Sequence, residues 1–237
     1  MGAKKHILDK VYKRFPDPET YDTYVEPFIG GGSVFWFKEP TETEVINDLD
    51  SDIIEGYRLV KSVKSRDFPQ DLTTLAKQRA YYEKPKTSDV GRLTQKVLKY
   101  CNTFGNIGKG NLYKKHNPYS KLQYIDDYQK RLEGVKILNS DYKEVIKRYD
   151  SPETFFYLDP PYEDSERLYK HGKFDFEEFK DTLSKVKGKW LLSINDSSNT
   201  RRLFKGYYAR GFIVKARSNT DVGGKNRKEL LISNYAI

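Results

Sequence analysis

Short apolar runs recur along the chain, and most are separated by stretches with the apolar spacing of amphipathic helices. A run of four or five apolar residues between turn-forming residues is typical of a buried strand, and apolar residues three and four positions apart are typical of a helix. These patterns predict strands at residues 24–25, 44–47, 135–138, 155–158, 190–194, 211–216 and 229–235. They predict helices at residues 7–15, 34–37, 52–61, 72–80, 90–100, 142–149, 176–186 and 200–207.

The order of these elements predicts the architecture. Strands that alternate with helices form a parallel sheet covered on both faces. Residues 211–216 and 229–235 have no helix between them, so they are expected to pair as an antiparallel hairpin. The chain is therefore predicted to have an α/β fold whose parallel sheet ends in a hairpin. After the helical pieces at 72–80 and 90–100, an irregular polar stretch is expected up to residue 132.

The sequence Asp159-Pro160-Pro161-Tyr162 directly follows the predicted strand at 155–158. The prolines have a fixed φ and no N–H, which makes the turn rigid. The Asp159 carboxylate and a main-chain carbonyl could accept the two N–H groups of a planar amine such as adenine N6, while Tyr162 offers a face for the ring. A strand-ending turn with a buried tyrosine is the alternative interpretation.

A glycine-rich segment, Glu26-Pro27-Phe28-Ile29-Gly30-Gly31-Gly32-Ser33, follows the first predicted strand. Glycines between a strand and a helix let a ligand approach the backbone closely, although a plain turn has the same composition. Asp48 follows the second strand, where related folds bind ribose hydroxyls. The alternative for Asp48 is an N-cap for the helix that begins near Asp52.

Taken in this order, the motifs resemble those of the Dam-like (D12) family of DNA adenine-N6 methyltransferases. Residues 28–33 are similar to its F-x-G-x-G-S cofactor loop, Asn47-Asp48 to the end of its second strand, and residues 159–162 to its catalytic motif. Residues 139–142 lie where the family contacts the adenine of the cofactor. The resemblance implies a seven-stranded, Rossmann-like methyltransferase fold that uses S-adenosylmethionine and acts on double-stranded DNA.

The same resemblance assigns roles to individual residues. The catalytic residues would be Asp159, Pro160, Pro161 and Tyr162. The cofactor would be held by Lys5, Glu26, Pro27, Phe28, Gly30, Gly32, Ser33, Asp48, Asp141 and Asp159. Residues 1–60 and 134–237 would form the catalytic domain, and residues 61–133 would form a small helical insertion that recognises the target.

Two segments carry the chemistry expected of DNA contacts. The segment 102–113 resembles the family's asparagine- and glycine-rich loop near the target base, which would place Asn102, Asn106, Lys109, Asn111 and Tyr113 against DNA. Lys225, Arg227 and Lys228 lie at the predicted tip of the C-terminal hairpin, where they could clamp phosphates. A plain surface loop and a solvated hairpin tip are the respective alternatives.

The chain departs from the family near its N-terminus. The tryptophan of the family's K-W-x-G-G-K motif is missing, and only Gly2-Ala3-Lys4-Lys5 precedes the first helix. Cytosine-N4 methylation, RNA methylation and a silent DNA-binding relative are the alternative functions. Motif order favours adenine over cytosine. The intact Asp159, Gly30 and Gly32 argue against a silent relative, whereas the altered N-terminus argues mildly for one.

Composition adds broad limits. The net charge of +9, from 43 basic and 34 acidic residues, suits a polyanionic partner but also serves solubility. Cys101 has no neighbouring proline, unlike the nucleophile of cytosine-C5 methyltransferases, and it allows no disulfide within the chain. His6, His116 and His171 lack metal-ligand spacing, so no metal is expected.

No apolar run is long enough to span a membrane. An intracellular protein of a bacterium, phage or large DNA virus is expected, as a monomer or weak dimer.

Overall fold

A seven-stranded sheet forms the centre of the protein. The computed structural model describes residues 8–102, 112, 116–161, 174–214 and 227–237, except for the side chains of Asn102 and Arg227. Its strands are β1 (Thr23–Glu26), β2 (Thr43–Asn47), β3 (Lys136–Leu138), β4 (Thr154–Leu158), β5 (Lys189–Asn195), β6 (Tyr208–Val214) and β7 (Arg227–Ser233).

The strand order across the sheet is β3-β2-β1-β4-β5-β7-β6. β1 to β5 are parallel to one another, and β7 inserts between β5 and β6 as an antiparallel strand. This arrangement confirms the predicted parallel sheet with a C-terminal antiparallel hairpin, and with it the seven-stranded methyltransferase fold. Because β1, β2, β3 and β4 are parallel, their carboxyl ends meet at one edge, called here the carboxyl edge.

Nine helices lie in the described part of the chain. They are α1 (Leu8–Tyr12), α2 (Ser51–Ser62), α3 (Leu75–Glu83), α4 (Asp89–Asn102), α5 (Tyr119–Leu122), α6 (Ile125–Arg131), α7 (Tyr142–Tyr149), α8 (Phe176–Leu183) and α9 (Ser198–Leu203). A single 3-10 turn, Pro18–Thr20, precedes β1.

Three predictions about helices and loops were wrong. Residues 34–37 form successive turns instead of a helix. The backbone N–H groups between Gly32 and Lys38 donate to carbonyls three residues back in some cases and four residues back in others, so no regular helical ladder forms. The stretch expected to be irregular contains α5 and α6, whose apolar residues Leu122 and Ile125 are buried. The last strand begins two residues earlier than predicted, so Arg227 and Lys228 belong to β7 and not to the hairpin tip.

Alternating side chains bury both faces of the sheet. On one face, Tyr24, Phe155 and Tyr157 pack with residues of α1 and α2. On the other face, Phe156 and Trp190 pack with residues of α7 and α8. All five residues of β4 are buried, which explains why this strand reads as a continuous apolar run.

The segment between α2 and β3 has smaller apolar clusters of its own. Phe68, Leu93 and Leu122 pack with Leu59 and Val63 at the end of α2. Leu72, Leu98 and Leu112 form a second cluster. Leu59 lies in α2 and Val63 directly follows it, so their contacts attach this helical segment to the layer that covers the sheet.

A buried ion cluster joins β2 to the layer that contains α6. Glu44 accepts hydrogen bonds from Lys38 Nζ at 2.6 Å and from Arg131 Nη2 at 3.0 Å. The Lys38 side chain is only 1% exposed, and the Arg131 guanidinium lies 3.9 Å from the centre of the Phe35 ring. Burial lowers the pKa of Lys38, and the hydrogen bond to Glu44 opposes that effect.

Replacing Glu44 with alanine should lower the free energy of unfolding by about 3–5 kcal/mol, because two buried cations would lose their carboxylate. Urea denaturation measures this change. Glu42→Ala removes an exposed carboxylate nearby and should alter stability by no more than about 0.5 kcal/mol. If Glu44→Ala matched that control, the cluster would contribute nothing to the fold.

Candidate active site

The glycine loop leaves β1 at the carboxyl edge in a shape that needs glycine. Gly30 and Gly32 have positive φ values of 46° and 63°. A Cβ on Gly32 would collide with the Tyr57 hydroxyl and lie 3.0 Å from Trp36 Nε1. No atom of a described residue lies within 4 Å of a Cβ built on Gly30, so the described part of the chain leaves open space beside the backbone at this position. The loop can therefore receive a ligand against its main chain.

Asp48 supports the loop from the end of β2. Its Oδ2 accepts the Gly30 N–H at 2.9 Å, and its Oδ1 accepts the Asp50 N–H at 2.9 Å. The N-cap of α2 is Asp50, which accepts the Asp52 N–H at 3.0 Å, so the alternative interpretation of Asp48 as the cap was wrong. Asp48 therefore shapes the loop from the neighbouring strand end.

Asn47, which we did not list among the site residues, joins three strand ends. Its Nδ2 donates to Pro27 O and to Ser140 O, both at 2.9 Å, and its Oδ1 accepts the Ser140 N–H at 2.9 Å. Asn47 is fully buried. Its position before Asp48 at the end of an apolar run was visible in the sequence, but its partners were not.

The segment after β3 completes this side of the site. Asn139 Nδ2 donates to Asp48 O at 2.7 Å, which holds the two strand ends together. Asp141 is the N-cap of α7, because its Oδ1 accepts the Lys143 N–H at 2.8 Å. The predicted cofactor residue Asp141 thus lies one strand away from Asp48 at the same edge.

Two apolar side chains near the loop have different environments. Leu49 is 46% exposed although it lies between Asp48 and Asp50, and we did not identify it from the sequence. Phe28, predicted to contact the cofactor, is partly buried against Tyr142, with ring centres 5.3 Å apart, and against Phe179 at 5.8 Å. An exposed leucine beside a strand-end carboxylate offers a flat, apolar surface to a ring. Of the other predicted loop residues, Pro27 is buried and Ser33 is partly buried.

Glu26 and Asp159 lie at the ends of neighbouring strands, β1 and β4. Glu26 is 2% exposed, and its Oε1 accepts the Tyr24 hydroxyl at 2.5 Å. Burial raises the pKa of Glu26 to about 8; the Tyr24 hydrogen bond opposes this shift, and the negative charge of Asp159 adds to it. At neutral pH, Glu26 is therefore mostly protonated. Pro160 is buried and Pro161 partly buried, whereas Tyr162 lies outside the described residues.

An ionic cluster ties α4 to the start of α2, close to Asp48. Asp52 accepts hydrogen bonds from Lys96, from Lys99 at 2.5 Å and from the Tyr100 hydroxyl at 2.6 Å. Burial opposes ionisation of Asp52, but these three donors outweigh it and hold its pKa well below the usual value. Two lysines of this basic chain are therefore committed to an internal carboxylate.

The predicted DNA contacts are only partly described. Asn102 is the last residue of α4 instead of the first residue of a loop, because the helix continues two residues beyond the predicted end. Arg227 and Lys228 lie in β7, and Lys228 is exposed. The predicted site residues Lys5, Asn106, Lys109, Asn111, Tyr113 and Lys225 lie outside the described residues.

Two other kinds of feature, a metal site and a membrane-spanning helix, are absent from the described ranges. No group of three or more histidine, cysteine or acidic side chains there could hold a metal ion. None of the helices in those ranges is both long enough and apolar enough to cross a membrane. What the carboxyl edge does offer is an open glycine loop, the Asp48 carboxylate that supports this loop, and an aspartate followed by two prolines.

Comparison with known proteins identifies relatives of the whole chain. The family model described as D12 class N6 adenine-specific DNA methyltransferase matches residues 1–102 and 91–219. The chain is 26% identical to the type II methyltransferase M.MjaIII of Methanocaldococcus jannaschii, over 99% of this chain and 96% of that protein. It is 27% identical to the type II methyltransferase M.CviBI of Paramecium bursaria Chlorella virus NC1A, over 94% of each. It is 25% identical to a DNA adenine methylase of Vibrio cholerae, over 97% of this chain and 91% of that protein.

Replacing Glu26 with glutamine should change how stability depends on pH. The pKa of Glu26 is about 8 in the folded protein, against an ordinary value of 4.5, so the folded state keeps a proton that the unfolded chain releases. Stability of the wild type should therefore fall by about 3 kcal/mol between pH 5 and pH 8 through this group alone. Glu26→Gln should lack that decline.

Urea denaturation at several pH values between 5 and 8.5 measures the effect. Glu42→Gln, which neutralises an exposed carboxylate, is the matched control and should follow the wild-type curve. Parallel curves for wild type and Glu26→Gln would show that Glu26 is ionised in the folded protein.

Proposed function

This chain belongs to the D12 class of N6 adenine-specific DNA methyltransferases, and we propose that it transfers a methyl group from S-adenosylmethionine directly to N6 of a flipped adenine. The observation that carries this mechanism is the position of Asp159-Pro160-Pro161. It directly follows the buried β4, which lies beside the strand that leads into the open glycine loop. Two acceptors for an amine and a backbone cradle for a ligand therefore occupy neighbouring strand ends.

The residues at the ends of β1, β2 and β3 fit S-adenosylmethionine. The open backbone at Gly30 admits a ligand, and the Asp48 carboxylate lies at the strand end that suits ribose hydroxyls. Leu49 supplies an exposed apolar surface for the adenine ring, and Asp141 has a second oxygen for the adenine amino group. When bound, this cofactor supplies an electrophilic methyl group on a sulfonium.

Asp159 makes the target amine nucleophilic. The lone pair of N6 is delocalised into the adenine ring, so the amine attacks poorly by itself. Asp159 and the main-chain carbonyl of Pro160 would accept its two N–H bonds and draw the nitrogen toward tetrahedral geometry. The methylated nitrogen then has to lose one proton, for which the Asp159 carboxylate is the neighbouring acceptor. Holding nitrogen and methyl in line supplies much of the rate, about 7–11 kcal/mol in well-oriented reactions.

Because Glu26 is protonated, it does not place a second negative charge near the amine. Its pKa of about 8 leaves it mostly neutral at pH 7, so Asp159 supplies the negative charge of this pair of neighbouring strand ends. Two adjacent carboxylates with different protonation states commonly divide their roles in this way. Tyr162 would stack on the flipped base, which offsets part of the unstacking cost of a few kcal/mol.

DNA contacts are proposed for two parts of the chain. Residues 61–133 would approach the duplex from the α4 side, where the asparagine- and glycine-rich segment follows the helix end at Asn102. The hairpin of β6 and β7 would provide phosphate contacts from Lys225, Arg227 and Lys228. An intracellular location and a monomeric or weakly dimeric state stay predictions from the sequence.

Asp159→Ala should lower methyl transfer to an adenine-containing duplex by at least about 100-fold, because the amine loses its charged acceptor. S-adenosylmethionine affinity, measured by calorimetry, should stay within about twofold of wild type. A tritiated methyl group found on cytosine instead of adenine would overturn the target while leaving the site in place.

Asp48→Ala is the complementary variant. It should weaken S-adenosylmethionine binding by about 1.5–3 kcal/mol, the usual value for hydrogen bonds to a charged group. An unchanged affinity for S-adenosylmethionine in Asp48→Ala would show that Asp48 does not bind the cofactor. If only Asp159→Ala reduced this affinity, the roles proposed for Asp48 and Asp159 would have to be exchanged.

Replacing Lys225, Arg227 and Lys228 together with alanine should weaken DNA binding at all sequences alike. Each phosphate contact contributes about −0.9 to the slope of log affinity against log salt, so the slope should flatten by about two to three. Fluorescence anisotropy at increasing salt measures the slope.

A matched control removes three charges at the opposite edge of the sheet: Lys147, Lys185 and Lys187. These residues are exposed near the amino ends of β4 and β5. Their replacement should leave the slope close to wild type. Equal slopes for wild type and the hairpin variant would place the hairpin cations in solvent.

A further inference from the structure

Asn195 is the last residue of β5, which runs further toward the carboxyl edge than its neighbour β4. Leu158, the last residue of β4, pairs with Leu192. Continuing this register sets Ser193 beside Asp159 and Asn195 beside Pro161. Asn195 therefore lies level with the end of the proposed catalytic motif, one strand away.

The side chain of Asn195 is on the same face of the sheet as Asp159. Tyr157 and Leu191 both belong to the apolar cluster that includes residues of α1 and α2. Because side chains alternate along a strand, Asp159 and Asn195 follow them onto that face. The two side chains thus approach one space from adjacent strands.

The carboxamide of Asn195 is uncommitted. Its Oδ1 is buried and has no hydrogen-bond partner, and its side chain makes no hydrogen bond to any described residue. A buried acceptor without a partner is destabilising and is uncommon in native proteins. In contrast, Asn47 and Asn234 have both ends of their carboxamides hydrogen-bonded.

The backbone around Asn195 is held firmly. Asn195 pairs with Glu229 across β5 and β7, and Glu229 is 4% exposed. The next residue, Asp196, donates its N–H to Lys228 O at 2.9 Å and accepts two bonds from Arg201 at 2.6 and 2.8 Å. The uncommitted carboxamide is therefore presented from a rigid strand end and not from a free loop.

We propose that Asn195 binds the edge of the flipped adenine, with its carboxamide oxygen accepting from the amine and its NH₂ group donating to a neighbouring ring nitrogen. This proposal rests on the proposed function and deepens it. Asparagine recognises adenine by this pair of bonds because an exocyclic donor lies beside a ring acceptor on that base. The amine N–H that meets the Pro160 carbonyl would be shared with Asn195, since such three-centre bonds are common.

The test measures methylation and stability in the same variants. Asn195→Leu removes the polar group but keeps its approximate volume, so the melting temperature should be unchanged or raised because the unpaired acceptor is gone. In the same variant, kcat/KM for an adenine duplex should fall about 10- to 100-fold, the value of a paired amide contact. Asn195→Ala should show the same loss of activity, and S-adenosylmethionine affinity should stay within twofold in both variants.

Base analogues distinguish a contact from a structural effect. Duplexes with 1-deazaadenine or 7-deazaadenine at the target lack one ring acceptor each. With one of these two analogues, the activity of the wild type should fall toward the activity of Asn195→Leu on adenine. The activity of Asn195→Leu should fall little further on that same analogue. Asn199→Ala, an exposed asparagine four residues along the chain, should behave as wild type throughout.

Two results would overturn the proposal. One is a kcat/KM equal to that of the wild type in both Asn195→Leu and Asn195→Ala. The other is that, for both analogues, the loss of activity caused by the analogue and the loss caused by the substitution multiply as independent effects. Failure of the proposed function has a different signature, since the wild type itself would then not methylate adenine in any duplex.

Discussion

The three hydrogen bonds of Asn47 are the constraint on which the site depends. They join the segment after β1, the end of β2 and the segment after β3 through one fully buried carboxamide. A buried amide that loses a partner costs about 1–3 kcal/mol, so these strand ends are held at fixed separations. Asp48 then extends the same support to the glycine loop by accepting the Gly30 N–H. This side of the carboxyl edge is therefore preorganised before any ligand binds.

Charge is distributed unevenly between the interior and the surface. Lys38 and Arg131 hold Glu44 in the interior, while Lys96 and Lys99 hold Asp52 at the base of α4. These cations serve the fold and the attachment of the helical segment, and they are not free to meet phosphate. The net charge of +9 thus overstates the number of basic side chains that are available to DNA.

The carboxyl edge also separates two kinds of polar group. On the β1 and β2 side, the side chains of Asn47 and Asp48 are already hydrogen-bonded to the backbone. On the β5 side, the carboxamide oxygen of Asn195 is buried and has no hydrogen-bond partner among the described residues. The bonded groups shape the site, whereas an unbonded group of this kind is suited to a ligand that arrives and leaves.

The sequence by itself determined the strand order along the chain, the parallel sheet with its final hairpin and the family, because apolar periodicity and strand-end motifs are local properties. Gly30, Asp48 and Asp159 could be placed at strand ends for the same reason. Helix 34–37 and the cap of α2 were misjudged, because competing local bonds have similar sequence signatures. Only the tertiary structure decided that Asn47 bonds Ser140, that Lys96 and Lys99 bond Asp52, and that Asn195 lies level with Pro161. Each of these arrangements involves residues far apart in the chain, and a side chain's neighbours depend on which strands and helices the fold brings beside it.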